Sequence, residues 1–306
     1  MTKIESSPSA SNTQASLAQR WVLASRPRTL PAATAPVIVG AALAISQGQF
    51  KLGPALAALL AALLLQIGAN LANDVFDFQK GADTHQRLGP LRVTQAGLLS
   101  PTQVIVGMSL TFFLAAGLGI YLAFQAGWMV IAIGFFAILA AVAYTGGPFP
   151  LGYNGLGEVF VFIFFGLAAV NGTYYVQAQQ THPLAWWASV AMGMLTVAIL
   201  VVNNLRDIAT DRASGKRTLA VRMGATNTKR EYVFVLAVAY LVPLVIWLIG
   251  LTSPWVLLAW LSLPKAVQLI RSIYTLEGRP LNKVLAGTGM LELIFGVLFS
   301  FGLILS

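Results

Sequence analysis

Cysteine is absent from this chain of 306 residues, and only 9% of its residues are charged. The lack of cysteine excludes both a disulfide framework and a thiolate metal site. Aspartate is scarce as well: all five aspartates fall within residues 74–83 and 207–211. The aspartates therefore mark two places in the chain where carboxylate chemistry is concentrated.

Hydrophobic residues, in contrast, make up 57% of the chain, and the mean hydropathy is +0.76. Runs of roughly 20 apolar residues are long enough to cross a bilayer as helices. No alternation typical of barrel strands competes with this pattern. The sequence therefore predicts an all-α membrane protein with nine transmembrane helices, near residues 30–48, 54–74, 103–125, 127–146, 156–176, 184–205, 232–250, 253–272 and 284–305.

The ends of the chain and its basic residues predict its topology. Residues 1–20 are polar and serine-rich, which predicts a disordered tail, and residues 21–306 are predicted to form one transmembrane domain. With residue 1 in the cytoplasm, 18 of the 19 basic residues lie on that side, and Lys51 lies outside. The positive-inside rule thus predicts a cytoplasmic N-terminus and an outside C-terminus in the cell membrane (plasma or inner). This distribution explains the charge of +9 without a nucleic-acid partner.

The two aspartate clusters share a spacing. Each follows an apolar segment on the predicted cytoplasmic side and begins with the pattern N-x-x-x-D, and the two lie 133 residues apart. Spacings of three, four, seven or eight residues place side chains on one helical face. The two sets are Asn70, Asp74 and Asp77, and Asn203, Asp207 and Asp211.

Clustered carboxylates repel one another unless a cation neutralises them. Oxygen ligands without histidine or cysteine suit Mg²⁺, which commonly shares its coordination with substrate phosphates. Two acidic helix ends of this kind predict a clamp for one diphosphate, with a lipid tail running into the bundle. Basic residues beside the clusters fit a diphosphate, although ordinary loop charge explains any one of them equally well. They are Lys80, Arg87 and Arg92 beside the first cluster, and Arg206, Lys216 and Arg217 beside the second.

Several segments resemble the UbiA-type intramembrane prenyltransferases, and most of all the branch that prenylates 1,4-dihydroxy-2-naphthoate in menaquinone biosynthesis. They cover the first six predicted helices, about two-thirds of the chain, whereas the last three resemble only generic membrane helices. The segments are SRPRTLPAATAPVIVG (25–40), NDVFDFQKGAD (73–83), GPLRVTQAGLLS (89–100), GPFPLGYNGLGEVFVFIFFG (147–166) and NNLRDIATDRASGKRTLAVRMG (203–224).

The resemblance implies nine helices around a central cavity that opens to lipid and faces the cytoplasm. It implies a prenyl diphosphate and an aromatic acid as substrates, Mg²⁺ as cofactor, and membrane lipid as the surroundings. In the implied reaction the allylic C–O bond ionises, an aromatic carbon attacks the cation, and the acceptor loses its carboxylate as CO₂.

The resemblance also implies roles for individual residues. Asn70, Asp74, Asp77, Asp83, Asn203, Asp207 and Asp211 would bind metal, and Asp74, Asp77, Asp207 and Asp211 among them would be catalytic. The substrates would contact Arg26, Arg28, Lys80, Arg92, Tyr144, Glu158, Asn204, Lys216 and Arg217. Many relatives have a diphosphate-binding lysine directly after the tyrosine, whereas Thr145 follows Tyr144 here. The cation for the diphosphate must then come from another position, with Arg26, Arg28, Lys80, Arg92 and Lys216 as candidates.

Two glutamates lie within apolar segments, where ionisable residues are usually functional. Glu158 fits either a charge at a helix N-terminus or a contact to the acceptor ring, and Glu292 has no evident partner. The aromatic stretch at 159–166 is more typical of a lipid-facing or core segment than of a substrate site.

Alternative functions stay open at this point. A prenyltransferase for 4-hydroxybenzoate or homogentisate and a haem O synthase are close alternatives. A cation-coupled transporter would hold its carboxylates near the bilayer midplane, and a CDP-alcohol phosphotransferase would hold them in one contiguous motif.

Overall fold

The computed structural model describes residues 16–82 and 87–306. Eleven α-helices occur in these residues, and two short 3₁₀ turns, a π-helical stretch (Phe162–Asn171) and a 3₁₀ helix (Pro254–Ser262) connect several of them. The helices are α1 (Leu17–Ser25), α2 (Leu30–Ser46), α3 (Leu52–Gln79), α4 (Pro101–Ala126), α5 (Met129–Ala143), α6 (Gly157–Val161), α7 (Gly172–Ala178), α8 (Pro183–Ala213), α9 (Leu219–Leu248), α10 (Leu263–Thr275) and α11 (Leu281–Ile304).

The predicted all-α membrane architecture is confirmed. Within the described residues, eight helical stretches are long and apolar enough to span a membrane. The ninth predicted span corresponds to α5, which has 15 residues. Large side chains such as Phe113, Phe124 and Trp128 are more than 70% exposed, as expected for surfaces that face lipid. The sidedness of the two termini stays a prediction.

The predicted disorder of residues 1–20 is wrong for residues 17–20, which belong to α1. Ser16 and Gln19 form a capping box that satisfies amides at the start of this helix. Residues 1–15, and the candidate metal ligand Asp83, lie outside the described residues. The assignment of residues 21–306 to one domain stays a prediction.

The helices α3 and α8 both extend beyond the apolar segments that predicted them. The predicted spans end at residues 74 and 205, whereas the helices end at Gln79 and Ala213. Gly81 and Gly215 follow them with positive φ angles of 66° and 77°, a conformation that glycine adopts without steric cost. Both acidic clusters therefore lie on the last helical turns and not in loops.

The main buried core joins α2, α8, α9 and α11. A π-helical stretch, Phe162–Asn171, connects α6 to α7 and packs against α8. Gly166 and Gly193 make this packing close, because a Cβ atom at Gly166 would lie 2.7 Å from the Gly193 Cα. Small residues of this kind let helix backbones approach each other in membranes.

Glu292 of α11 is fully buried and has a partner that the sequence did not reveal. Thr196 Oγ1 of α8 lies 2.6 Å from Glu292 Oε1, and Glu292 Oε2 has no hydrogen-bond partner. A polar contact between α8 and α11 thus lies inside the apolar bundle.

Candidate functional site

A cavity of about 690 Å³ lies between the helices, and both acidic clusters reach it. Its polar end is lined by Asn70, Asn73 and Asp77 of α3 and by Asn203, Asn204, Asp207 and Asp211 of α8. Its other walls are mostly apolar, and include Ala58, Ala62, Leu122, Val130, Phe164 and Val176. The two segments that the sequence paired at a distance of 133 residues therefore contribute to one site.

Asp77 is the most heavily contacted carboxylate of the site and is almost fully buried. Arg92 Nη2 donates to Asp77 Oδ2 at 2.8 Å, and Lys216 Nζ donates to Oδ1 at 3.1 Å. Tyr153 Oη also donates to Oδ1, at 2.5 Å. Two cations and a phenol thus neutralise and orient this carboxylate.

Asp207 on α8 has a different environment. Arg206 Nε donates to Asp207 Oδ1 at 2.8 Å, and Arg206 Nη2 donates to Oδ2 at 2.5 Å. The same guanidinium also contacts Asn203 Oδ1 and Asn282 Oδ1, at 2.9 and 2.7 Å. Arg206 therefore fixes the orientation of Asp207 and ties α8 to α11.

Lys216 connects the two clusters. Its Nζ lies 3.1 Å from Asp77 Oδ1 and 4.0 Å from Asp211 Oδ1, and it lies 4.5 Å from the centroid of the Tyr153 ring. A single ammonium group therefore lies between carboxylates from α3 and α8.

The candidate basic residues divide into two groups. Arg26, Arg92 and Lys216 line the cavity, as does Arg87, one of the basic residues that follow the first cluster. Arg28 and Arg217 are exposed and do not line it. Lys80 points its ammonium group to the backbone oxygens of Thr145 and Gly147, at 2.6 and 3.2 Å. The cavity itself thus offers three of the six predicted cations.

Tyr144 lies just past the end of α5 and lines the cavity. Burial raises its pKa well above the usual value of a tyrosine, and nearby Glu158, Asp211 and Asp77 raise it further. The phenol therefore stays neutral and can donate a hydrogen bond. Gly157 and Gly152 give it room, since a Cβ atom at either position would lie 2.7–2.8 Å from the tyrosine side chain.

Glu158 and Asn204 form a pair at the edge of the cavity. Asn204 Nδ2 donates to Glu158 Oε1 at 2.9 Å. Asn204 lines the cavity, whereas Glu158 lies behind it. The contact of Glu158 with an acceptor ring stays a prediction, and the structure shows that Glu158 orients a residue of the wall.

Asn70 and Asp74 differ from the rest of the first cluster. Asn70 lines the cavity, but its amide donates to Ser25 O and Thr29 Oγ1, at 3.1 and 2.9 Å. Asp74 does not line the cavity, and its oxygens accept from the backbone amides of Val93 and Thr94. Their metal-binding roles stay predictions.

Sequence reasoning missed Asn73 and Tyr153. Asn73 lines the cavity beside Asp77 and accepts a hydrogen bond from Thr145 Oγ1. Asn73 and Asp77 also have the N-x-x-x-D spacing, so the pattern contained this pair although it was counted from Asn70. No spacing rule indicated Tyr153, because a 3₁₀ turn remote in sequence brings it to Asp77.

The aromatic stretch at 159–166 is divided between lipid and cavity. Val159 and Ile163 are exposed, whereas Phe160, Phe164 and Phe165 line the cavity. The sequence favoured a lipid-facing or core segment over a substrate site, and the structure puts these three side chains on the cavity wall. The π-helical turns offset the residue spacing here, and such turns are frequent at functional sites.

The donor chemistry of the polar end fits Mg²⁺, because the side chains of Asn73, Asp77, Asn203, Asp207 and Asp211 offer hard oxygen atoms. Within residues 16–82 and 87–306, however, no three acidic or histidine side chains converge closely enough to hold one metal ion. A Mg²⁺ ion here would need further ligands from a phosphate substrate, which is its common mode of binding.

A family model and the sequences of known proteins both relate this chain to prenyltransferases. The model of the UbiA prenyltransferase family matches residues 33–287. The 1,4-dihydroxy-2-naphthoate octaprenyltransferase of Mycobacterium tuberculosis is 40% identical over 284 residues, which cover 92% of this chain and 96% of that protein. The protein of the same name from Escherichia coli is 38% identical over 302 residues, which cover 96% and 97%.

Solved structures share the fold at low sequence identity. A UbiA homolog from Archaeoglobus fulgidus, bound to GPP and Mg²⁺, superimposes with a TM-score of 0.70 at 14% identity. The match covers 94% of this chain and all of that one. A UbiA homolog from Aeropyrum pernix gives a TM-score of 0.68 at 14% identity, over 87% and 96% of the two chains.

Proposed function

The chain belongs to the UbiA prenyltransferase family, and we propose that it transfers a polyprenyl group from a prenyl diphosphate to 1,4-dihydroxy-2-naphthoate. The acceptor loses CO₂, and the product is a demethylmenaquinol. Relatives with the matching name are 32–40% identical over more than 90% of this chain, which supports this acceptor over 4-hydroxybenzoate or homogentisate.

The proposal depends mainly on the cavity, which has a charged end and an otherwise mostly apolar wall. Asp77, Asp207 and Asp211 lie at its polar end together with Arg92 and Lys216, whereas most of the remaining wall is apolar. A prenyl diphosphate has the same division, with a charged head and a hydrocarbon tail. The cavity therefore fits the head between α3 and α8 and the tail against the apolar wall.

Mg²⁺ would be held by the carboxylates of Asp77, Asp207 and Asp211, with the amide oxygens of Asn73 and Asn203 beside them. The related structure from Archaeoglobus fulgidus was solved with GPP and Mg²⁺, which supports this cofactor. When bound, the ion would neutralise charge that develops on the leaving diphosphate.

The protein's own residues prepare the ionisation. Lys216 and Arg92 are oriented by Asp77, so their positive charge is in place before the diphosphate arrives. The rings of Phe160 and Phe164 stack with centroids 6.3 Å apart on the cavity wall. They exclude water from the allylic carbon, where a cation would otherwise be captured by hydrolysis.

The bonds and electrons balance without a further reactant. The allylic C–O bond breaks, and its electron pair leaves with the diphosphate. The ring carbon that carries the carboxylate forms the new C–C bond. The bond to the carboxylate then breaks, CO₂ leaves, and the electron pair restores the aromatic ring. The neutral Tyr144 phenol is available as a hydrogen-bond donor at this end of the cavity.

The polar end of the cavity is proposed to face the cytoplasm of a bacterial cell. Arg26, Arg92, Arg206 and Lys216 surround this end, whereas Lys51 lies at the opposite end of α3. This asymmetry follows the positive-inside rule.

An acceptor assay with the purified protein in detergent tests the proposal. With Mg²⁺ and an all-trans prenyl diphosphate, 1,4-dihydroxy-2-naphthoate should give a prenylated product with the mass of a demethylmenaquinol, and 4-hydroxybenzoate almost none. EDTA should abolish the reaction, and Mg²⁺ should restore it. Preference for 4-hydroxybenzoate, or full turnover in EDTA, would contradict the proposal.

A further inference from the structure

A loop between α3 and α4 is anchored to α1 and α11 and packs against Arg206 of α8. We call residues 87–99 the Arg92 loop. Asn282 Nδ2 donates to Leu88 O at 2.9 Å, and Arg20 Nη1 donates to Leu98 O at 3.2 Å. A Cβ atom at Gly89 would lie 2.8 Å from Arg206 Nη2, so the loop backbone packs directly on the guanidinium that holds Asp207. The loop is therefore a fixed part of the site's wall.

The tip of the Arg92 loop is a single tight turn. Ala96 N donates to Arg92 O, and Leu98 N donates to Val93 O, each at 3.0 Å. The amides of Val93 and Thr94 begin this turn, and neither has a backbone acceptor within it. Amides at such a position need an acceptor from another part of the structure.

Asp74 supplies both acceptors. Its Oδ2 accepts from Val93 N and its Oδ1 from Thr94 N, each at 3.0 Å, and the residue is only 1% exposed. Arg26 Nη2 lies 3.9 Å from Asp74 Oδ2, beyond hydrogen-bonding distance. Both carboxylate oxygens are therefore in use on the protein backbone.

The helical geometry of α3 explains why Asp74 takes this direction. Asn73 and Asp77 are one turn apart and both line the cavity. Asp74 follows Asn73 by one residue, which rotates its side chain by about 100° around the helix. It therefore points to the Arg92 loop, while its neighbours on the helix point to the cavity.

We propose that Asp74 is a positioning residue and not a metal ligand: it caps the turn at Val93 and Thr94 and so holds Arg92 against Asp77. Arg92 directly precedes Val93 in the chain, and its Nη2 donates to Asp77 Oδ2 in the cavity at 2.8 Å. The sequence pattern counts Asp74 among the metal ligands, and the buried backbone contacts assign it to the loop. The part of the inference that concerns diphosphate binding rests on the proposed function.

A double-mutant cycle tests whether Asp74 acts through Arg92. Asp74→Asn keeps one acceptor oxygen and replaces the other by a donor that opposes a backbone amide. We expect it to raise the KM for prenyl diphosphate about tenfold, with a smaller change in kcat. In an Arg92→Met background the same substitution should change KM less than about twofold, because coupled residues are not additive. An equal effect in both backgrounds would overturn the inference.

Metal binding distinguishes a cap from a ligand without an activity assay. Mn²⁺ binding, measured by electron paramagnetic resonance with inorganic diphosphate at a concentration that saturates each variant, should weaken at least tenfold in Asp77→Asn. It should stay within about threefold of the unsubstituted protein in Asp74→Asn. An equal loss in both variants would make Asp74 a ligand and overturn the inference.

Hydrogen exchange on the unsubstituted protein gives a measurement that needs no variant to fold. The amides of Val93 and Thr94 should be protected, and they should keep that protection when Mn²⁺ and inorganic diphosphate are added. Loss of protection on metal addition would show that Asp74 turns to the metal, which contradicts the inference. If no acceptor is prenylated at all, the proposed function fails, and the exchange and Mn²⁺ measurements still decide the role of Asp74.

Discussion

Asp77 shows how a buried carboxylate can be stabilised in its charged form inside an apolar helix bundle. A buried charge is costly unless it is paired and hydrogen-bonded, and Arg92, Lys216 and Tyr153 meet that condition here. An incoming diphosphate would attract the same two cations. The pairs at Asp77 are therefore suited to exchange when substrate and metal bind.

Neutralising Asp77 should consequently remove most of the activity. Asp77→Asn removes the negative charge that Arg92 and Lys216 contact at this position, together with a metal-binding oxygen, and we expect kcat to fall about 100-fold or more. Glu277→Gln is the matched control, since the Glu277 side chain is 88% exposed and far less constrained. Ordinary turnover in Asp77→Asn would exclude it from the reaction.

Thr196 should matter for stability through its contact with Glu292. Thr196→Val keeps the shape of the side chain but leaves a fully buried carboxyl group without its hydrogen-bond partner. This should cost about 1–3 kcal/mol and lower the midpoint of thermal unfolding in detergent. Thr196→Ser keeps the hydroxyl and should lose much less. Equal midpoints for the valine and serine variants would show that this hydrogen bond does not stabilise the bundle.

The helices α3 and α8 illustrate what the sequence reveals about individual elements. Their apolar runs predicted both helices, and the helical spacing within each cluster predicted which face carries Asp77 and Asp207. The same spacing placed Asp74 on that face. In the structure, however, the Asp74 side chain contacts the Arg92 loop and does not line the cavity. Helical periodicity alone does not decide whether Asp74 faces the cavity or the loop. The Arg92 loop supplies the hydrogen-bond donors for Asp74, and the sequence of this loop has no periodic pattern that would predict its position.

The contact between the π-helical stretch and α8 should tolerate no added side chain. In Gly166→Ala the new methyl group would meet the Gly193 Cα and Ser189 O, each at 2.7 Å. Both are backbone atoms, so the helices must separate, and we expect a loss of about 1–3 kcal/mol. Gly172→Ala is the control in the same apolar region, because a Cβ atom there meets nothing within 4 Å. The two variants should differ in thermal unfolding, and equal stability would argue against the glycine contact.

For the molecule as a whole, hydropathy predicted an all-helical membrane bundle, with eight of the nine predicted spans found as long apolar helices in the described residues, but it did not predict the cavity. The cavity depends on how α3 and α8 face each other, and Lys216 and Tyr153 enter it from connections that carry no periodic signal. The central cavity was predicted only from the resemblance to a known family, and not from hydropathy or residue spacing. Physical reasoning from the sequence therefore predicted the helices, and the faces of α3 and α8 that carry the acidic clusters, but not the arrangement of side chains in the cavity.

The topology can be tested directly because the chain has no cysteine of its own. Gln49→Cys and Arg212→Cys place single thiols at exposed positions near opposite ends of the bundle. In intact cells, a membrane-impermeant maleimide should label Cys at position 49 and not at position 212. Permeabilised cells provide the control, in which both should react. The reverse pattern would place the polar end of the cavity outside.

The fate of the acceptor's carboxyl carbon tests the central claim most directly. The purified protein would receive Mg²⁺, an all-trans prenyl diphosphate and 1,4-dihydroxy-2-naphthoate that carries a label in its carboxyl group. Labelled CO₂ and prenylated product would be quantified together. The account predicts one labelled CO₂ for each prenylated product, and neither with Asp77→Asn. A prenylated product that retains the label would contradict it.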